Sequence, residues 1–335
     1  MTKPIVLVTG GAGYIGSHAV LALADAGYQV VVIDNLVTGF RWAVDPRAEF
    51  VQGSIDDESL VADTLKRFGV GAIMHFAGSI IVPESVENPL KYYRNNTAAS
   101  RTLIECAVDS GVKHFIFSST AATYGQPETS PIAEDTPTRP INPYGRSKLM
   151  TEQMLADVSA AHPINFCALR YFNVAGADPA GRTGQSTAGA THLIKVAVEA
   201  ATGKRESVAV FGTDYPTRDG TGIRDYIHVS DLAAAHLDAL EALIANPARS
   251  HILNCGYGRG FSVLEVLDAV DQVTNMKIER RMEPRRAGDP PELIADNRAI
   301  LATLPWRPKR DDLSLIIADA LAWERKLAER AETVA

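Results

Sequence analysis

The chain has 335 residues, 46% of them hydrophobic, which suits one large domain or two unequal ones with a substantial core. A net charge of −7, with no basic, aromatic-laced stretch, argues against a nucleic-acid partner, and no segment is long and apolar enough to cross a membrane. Cys106, Cys167 and Cys255 are widely spaced among apolar residues and read as small core residues; with an N-terminus lacking a secretory pattern, they point to a cytoplasmic protein.

A β-branched run, Ile5-Val6-Leu7-Val8, stops at Gly10. Glycines recur at Gly13 and Gly16 before a helical pattern begins with Ala19, Leu21 and Leu23. A second run, Val30-Val31-Val32-Ile33, ends on Asp34. Strand, glycine turn, helix, strand and acid follow in the order of a dinucleotide-binding unit. The glycines let backbone approach a pyrophosphate, and the helix start faces its negative charge. Asp34 suits the two hydroxyls of an adenosine ribose. A 2′-phosphate there would meet a carboxylate, so NAD is favoured over NADP.

The alternation continues with strands at 49–52, 72–76, 115–117 and 166–169 and helices at 57–68, 97–109 and 144–160. This predicts an α/β fold, a parallel, doubly wound Rossmann sheet. After Tyr171 the pattern breaks up. Polar loops occupy 178–189 and 212–222, helices 191–202, 231–243 and 312–329, and a short strand 251–254. Ser262 and Glu265 form a capping-box pattern for a helix running to about 274. The proline-rich stretch 283–291 carries Arg285, Arg286 and Asp289. The division expected is an NAD-binding domain over 1–173, completed by C-terminal segments, and mainly a substrate lobe over 174–335.

The chemistry concentrates at Tyr144 and Lys148, four apart and so on one helix face. Lysine's charge favours phenolate, which helps a phenol serve as a base near neutrality. Upstream, Ser118-Ser119-Thr120 ends a strand and offers a hydroxyl for a substrate oxygen. Beside an NAD site, this reads as carbinol oxidation or carbonyl reduction. The histidines are too scattered for a zinc site: His75 and His228 read as structural, and His192 opens a helix.

The sequence resembles the extended short-chain dehydrogenase/reductase family, and within it the UDP-sugar 4-epimerases, over nearly the whole chain. The likeness rests on Thr9-Gly-Gly-Ala-Gly-Tyr-Ile-Gly-Ser-His18, Asp34-Asn35-Leu36, His75-Phe-Ala-Gly78, Glu84-Ser85 and Tyr92-Tyr93-Arg-Asn95-Asn96. It continues in Tyr144-Gly-Arg-Ser-Lys148 and Arg170-Tyr-Phe-Asn173, and most specifically in Phe211-Gly-Thr-Asp-Tyr-Pro-Thr-Arg-Asp-Gly-Thr-Gly-Ile-Arg-Asp-Tyr-Ile-His228.

The resemblance implies NAD that stays bound and is regenerated each turnover. It implies UDP-galactose and UDP-glucose as substrates and a homodimer paired through the helices after strands four and five. Cofactor contacts would come from Gly10, Gly13, Tyr14, Ile15 and Gly16; from Asp34, Asn35, Ser54 and Ile55; and from Phe76, Ala77, Gly78, Asn95, Ser118 and Tyr171, with Tyr144 and Lys148. Tyr144 would take the 4-hydroxyl proton, Thr120 would hold the 4-oxygen, and Lys148 would support both phenolate and nicotinamide ribose. Phe172, Asn173, His192, Leu193, Arg224, Arg286 and Asp289 would hold the UDP-sugar. Ser54 stands where well-studied members have aspartate, Ile80 where they have lysine, and Leu293 at the size gate for the sugar. The rival readings are a UDP-N-acetylhexosamine or UDP-pentose epimerase and a 4,6-dehydratase. The dehydratase needs acids after the strand-five hydroxyl, where this chain has Ala121-Ala122.

Overall fold

The computed structural model describes residues 3–286 and 289–334. The main strands are β1 (Ile5–Thr9), β2 (Val30–Asp34), β3 (Glu49–Gln52), β4 (Val70–His75), β5 (His114–Ser118) and β6 (Asn165–Tyr171). Smaller strands follow: β7 (Asn173–Ala175), β8 (Val208–Phe211), β9 (Ile223–His228), β10 (His251–Cys255), β11 (Gly260–Ser262), β12 (Arg280–Glu283) and β13 (Glu292–Leu293). The helices are α1 (Tyr14–Asp25), α2 (Glu58–Phe68), α3 (Val82–Glu87), α4 (Pro89–Tyr92), α5 (Ala99–Asp109) and α6 (Pro143–Ala161). The later ones are α7 (Leu193–Ala201), α8 (Val229–Ala245), α9 (Val263–Thr274), α10 (Arg298–Thr303) and α11 (Leu313–Val334).

Seven strands form one sheet in the order β10-β6-β5-β4-β1-β2-β3, and its pairings are parallel. Parallel strands are covered on both faces, which is why β1, β2 and β4 are near-continuous apolar runs. One apolar layer packs Val6, Val8, Val32 and Met74 against α1 and α8; the other packs Leu7, Ile33, Ile73 and Phe115 against α2 and α5. Fully burying each such side chain stabilises the fold by about 1.5–3 kcal/mol.

Chain order runs one way from β1 through β2 to β3 and the other way from β4 to β5 and β6. Between β1 and β4 lies the switch point, where the loops diverge and leave a crevice at the strand ends. Phe76 N donates to Thr9 O at 3.0 Å, setting the turns after β1 and β4 side by side.

Strand β10 comes from the late part of the sequence yet closes the main sheet beside β6. A short strand amid loops carries no sequence mark of its sheet; that is decided by packing. The chain leaves the main sheet at Phe172, and β7 pairs with β9 in a separate small sheet with β11 and β13. Tyr171 and Asn173 therefore stand on different sheets, two residues apart. Helix α9 opens on a capping box, with Ser262 Oγ accepting from Glu265 N at 3.1 Å and Ser262 N donating to the Glu265 carboxylate at 2.8 Å. The helix expected at 97–109 starts earlier, through a wide π-type turn over Tyr93–Ala98. That turn presents Asn95 and Asn96 to Ser79, and π-type turns recur at functional sites.

Candidate active site

The nucleotide cradle begins with Gly10 in a left-handed conformation (φ +71°), where a Cβ would lie 2.7 Å from Ala77 N. A Cβ on Gly16 would sit on the Gly10 carbonyl. Only glycine allows the turn and α1 to pack this closely. Gly13 caps α1 without a side-chain bond, so the first-turn amides at Tyr14, Ile15 and Gly16 are open to an anion. The Asp34 carboxylate is buried at the end of β2, accepting from Ala12 N at 2.9 Å and Leu36 N at 2.8 Å. Those bonds fix its orientation and leave lone pairs for a ribose. These features fit NAD.

The other expected cofactor residues surround this cradle. Tyr14 OH donates to Gly176 O at 2.7 Å, tying the glycine turn to the end of β7. Asn35 is exposed beside Asp34. Ser54 and Ile55 follow β3, where Gly53 N donates to Asp34 O at 3.1 Å. Phe76, Ala77 and Gly78 leave β4 next to Thr9, and Asn95 Nδ2 donates to Ser79 Oγ at 3.0 Å. Asn96, quoted in the sequence motif but given no role there, is buried and joins Ser79 to Ser147 on α6. Its only sequence signal was its place beside Asn95.

The candidate reacting groups lie where β5 ends against α6. Pro143 stands in the first turn of α6, and the Asn142 side chain accepts from Gly145 N at 2.8 Å. Tyr144 and Lys148 are consequently held on one buried face. Lys148 Nζ donates to Ser118 O at 2.9 Å, and Ser118 Oγ donates to Tyr171 OH at 2.9 Å. Burial pushes Lys148 down to about 8. The electrostatics of Tyr144 depart from the sequence expectation. Burial raises its phenol well above the ordinary value, outweighing the hydrogen bond with Thr120 that favours phenolate. Lysine spacing alone did not reveal that desolvation, because burial is a tertiary property.

In the second region, Arg224 Nη2 lies 3.8 Å from the Asp289 carboxylate, and the Arg286 guanidinium lies 3.8 Å from the Phe211 ring centroid. His192 caps the start of α7 and pairs its Nδ1 with Gln185 Nε2 at 2.8 Å; Leu193 is the first residue of that helix. Phe172 is buried in a small cluster with Tyr124 and Ile132, and Leu293 packs against that cluster. Asn173 opens β7 opposite Tyr226. Sequence reasoning missed Asp225, between Arg224 and Tyr226. Its buried carboxylate accepts from Tyr257 N at 3.0 Å, Gly258 N at 2.9 Å and Ala295 N at 3.3 Å, and burial raises it to about 6. It joins β9 to the segment after β13, which carries Leu293.

His75 bonds Thr9 Oγ at 2.7 Å and Ser100 Oγ at 2.8 Å, filling both ring nitrogens. His228 Nε2 lies 3.1 Å from Asp319. Burial lowers His18 to about 4, His75 to about 3 and His236 to about 4. Unfolded histidine titrates near ~6.5. Below that pH the unfolded chain takes up protons that the folded chain refuses, so stability falls as pH drops from about 6.5 toward about 4. The slope is roughly 1.4 kcal/mol per pH unit for each such group. Melting temperature should fall steadily over that range, and His236→Phe, which keeps a ring between Phe76 and Tyr171, should flatten the fall. Identical slopes in both proteins would refute the assignment.

Comparison with known proteins places this geometry. The model of the NAD dependent epimerase/dehydratase family matches residues 6–256, and the chain belongs to that family. It is 56% identical over 327 residues to the UDP-glucose 4-epimerase of Azospirillum brasilense, covering 98% of this chain and 94% of that one. It is similar to the crystal structure of UDP-glucose 4-epimerase from Brucella ovis in complex with NAD, at 44% identity and a TM-score of 0.92, covering 96% of this chain and 98% of that one. The UDP-Glc/GlcNAc 4-epimerase of Campylobacter jejuni gives 48% identity and a TM-score of 0.85, covering 97% and 100%.

Proposed function

We propose that the chain interconverts UDP-galactose and UDP-glucose by NAD-dependent oxidation and re-reduction at sugar C4. The observation that carries this reading is the buried Tyr144–Lys148 face of α6, set against the end of β5 in a fold whose glycine cradle fits NAD. The relative from Azospirillum brasilense bears that activity in its name, and the Brucella ovis structure holds NAD.

NAD, when bound, supplies the hydride acceptor and returns the same hydride. Tyr144 accepts the proton of the 4-hydroxyl as the C4–H bond breaks and gives it back on reduction, so the reaction is a net isomerisation. Thr120 hydrogen-bonds the 4-oxygen. Lys148 stands by as a cation that favours phenolate and holds the nicotinamide ribose. Arg224 and Arg286 grip the diphosphate, about which the 4-keto sugar turns to present its other face. Asn173, Phe172, His192, Leu193 and Asp289 complete the UDP-sugar site. Residues 1–173, with the late segments that join them, form the cofactor half, and 174–335 mainly the UDP-sugar half.

NAD stays bound between turnovers. Purified protein is expected to convert UDP-galactose without added cofactor and to release NAD on denaturation. Release of mostly NADP, or no conversion even with added NAD, would overturn the reading. The protein is cytoplasmic, in keeping with three buried free cysteines, and forms a homodimer through α5 and α6, on which Met150 is 40% exposed. A concentration-independent monomer mass would reject the dimer.

Leu293 sets the width of the sugar site. A weaker activity toward UDP-N-acetylglucosamine accompanies the main one, because leucine is smaller than tyrosine and packs beside Phe172. Leu293→Tyr should lower kcat/KM for the N-acetylated sugar by roughly 10–200-fold, the range that small changes of pocket volume produce, and much less for UDP-galactose. Equal losses on both substrates would dismiss Leu293 as the gate.

A further inference from the structure

The catalytic helix carries a third buried polar group. Tyr144, Lys148 and Glu152 recur every four residues along one face of α6, and Glu152 is 1% exposed. Its carboxylate meets Ser119 Oγ at 2.5 Å. It also receives both arms of Arg170, Nε at 2.9 Å and Nη2 at 2.5 Å. Such a fork between guanidinium and carboxylate fixes direction as well as distance.

We propose that Glu152 is a positioning residue for proton transfer: it fixes the Ser118–Thr120 strand end against α6 and supplies the counter-charge to buried Lys148. This role rests on reading Tyr144 and Lys148 as the proton-transfer pair.

Three connections support it. Ser119 lies between Ser118, whose carbonyl accepts from Lys148, and Thr120, which bonds Tyr144. Arg170 precedes Tyr171, whose phenol accepts from Ser118 Oγ. Ser119 N donates to Leu169 O at 2.9 Å, so the ladder between β5 and β6 extends to this point. One carboxylate thus touches the ends of β5 and β6 from the helix that carries the tyrosine and lysine. A charge pair that served only to balance Arg170 would have no need of Ser119.

Charged and titratable groups face Lys148 from several elements. On α6 these are Tyr144 and Glu152. From β5 come the Ser118 carbonyl and the Phe117 ring, its centroid 4.8 Å from Lys148 Nζ. From β4 comes His75, held neutral by burial. From β6 come Arg170 and Tyr171; Tyr92 on α4 meets the Tyr144 ring edge-on at 6.4 Å, and Tyr124 lies under Arg170. Burial lowers Lys148, and Glu152 is the group that opposes it. Arg170, forked directly on that carboxylate, offsets part of its charge. Without Glu152, Lys148 would lose its proton at a lower pH, and with it the support for phenolate.

The test measures kcat and KM for UDP-galactose against pH in wild type, Glu152→Gln and Ser119→Ala. Glu152→Gln keeps an oxygen for Ser119 and removes the charge. Its kcat should fall roughly 10–100-fold at nearly constant KM, the scale of a slight misplacement of reacting groups. Its alkaline limb should move to lower pH, which a merely structural role would not cause. Ser119→Ala leaves the Glu152–Arg170 pair intact. It should lower kcat about tenfold, the effect of about 1.4 kcal/mol in the barrier, with the limb in place. Should Glu152→Gln fail to fold, Ser119→Ala decides, and wild-type kcat in it overturns the proposal. An unmoved alkaline limb in folded Glu152→Gln also overturns it. Inactive wild type would instead overturn the underlying reading of Tyr144 and Lys148, so the two failures are distinct.

Discussion

Tyr144→Phe is expected to lower kcat for UDP-galactose by roughly 10²–10⁴-fold, the usual contribution of a positioned general base. Phenylalanine keeps the ring and its edge-on contact with Tyr92, 6.4 Å between centroids, so the fold should survive. What disappears is the oxygen proposed to take the 4-hydroxyl proton. Its environment makes the effect large rather than marginal. Burial holds the free phenol well above its ordinary value, so the group becomes a competent base only when charge is brought to it. On the proposed function, Lys148 would supply one such charge and NAD, when bound, another. KM should change little, since the oxygen acts on the bond that breaks and not on the UDP anchor. Steady-state rates with a circular-dichroism check of folding measure this. A variant that keeps wild-type kcat would remove Tyr144 from the chemistry.

Much of the candidate site is legible in the sequence, and the reason is local. A glycine turn, a strand-terminal acid and a Tyr-x-x-x-Lys spacing are each written within a few residues, because backbone conformation and helix periodicity act at that range. The same holds for the Ser262–Glu265 capping box. What stayed hidden depends on contacts between distant segments. Strand β10 looks like any short apolar run until it pairs with β6. Asp225 reads as one acid in a polar stretch, yet three backbone N–H groups from two other segments converge on it. Glu152 carries a visible spacing from Lys148, but its partners Ser119 and Arg170 come from just past β5 and from β6. The raised phenol of Tyr144 belongs to the same class, since desolvation is the sum of everything packed around a group.

The glycine cradle yields the other large effect. Gly16→Ala should leave the purified protein with clearly less nucleotide than wild type, since each roughly 1.4 kcal/mol of lost binding costs tenfold in affinity. A Cβ at Gly16 would overlap the Gly10 carbonyl oxygen and lie 2.9 Å from its carbon and 3.0 Å from Gly11 Cα. All three are backbone atoms, so no flexible side chain can move aside. Either the turn opens or α1 lifts, at the ~1–3 kcal/mol or more that overpacking costs. Opening the turn displaces Ala12 N, which orients Asp34 at 2.9 Å, and lifting α1 moves the amides proposed to face the pyrophosphate. Both routes damage the same binding site. Gly13→Ala is the internal comparison, because its Cβ would meet only the Gly10 oxygen at 3.3 Å, a contact that a shift of a few tenths of an ångström relieves. It should retain distinctly more NAD than Gly16→Ala. Nucleotide released on denaturation, counted per chain, gives the result directly. Wild-type content in Gly16→Ala would show that the cradle tolerates the added carbon and that retention is decided elsewhere.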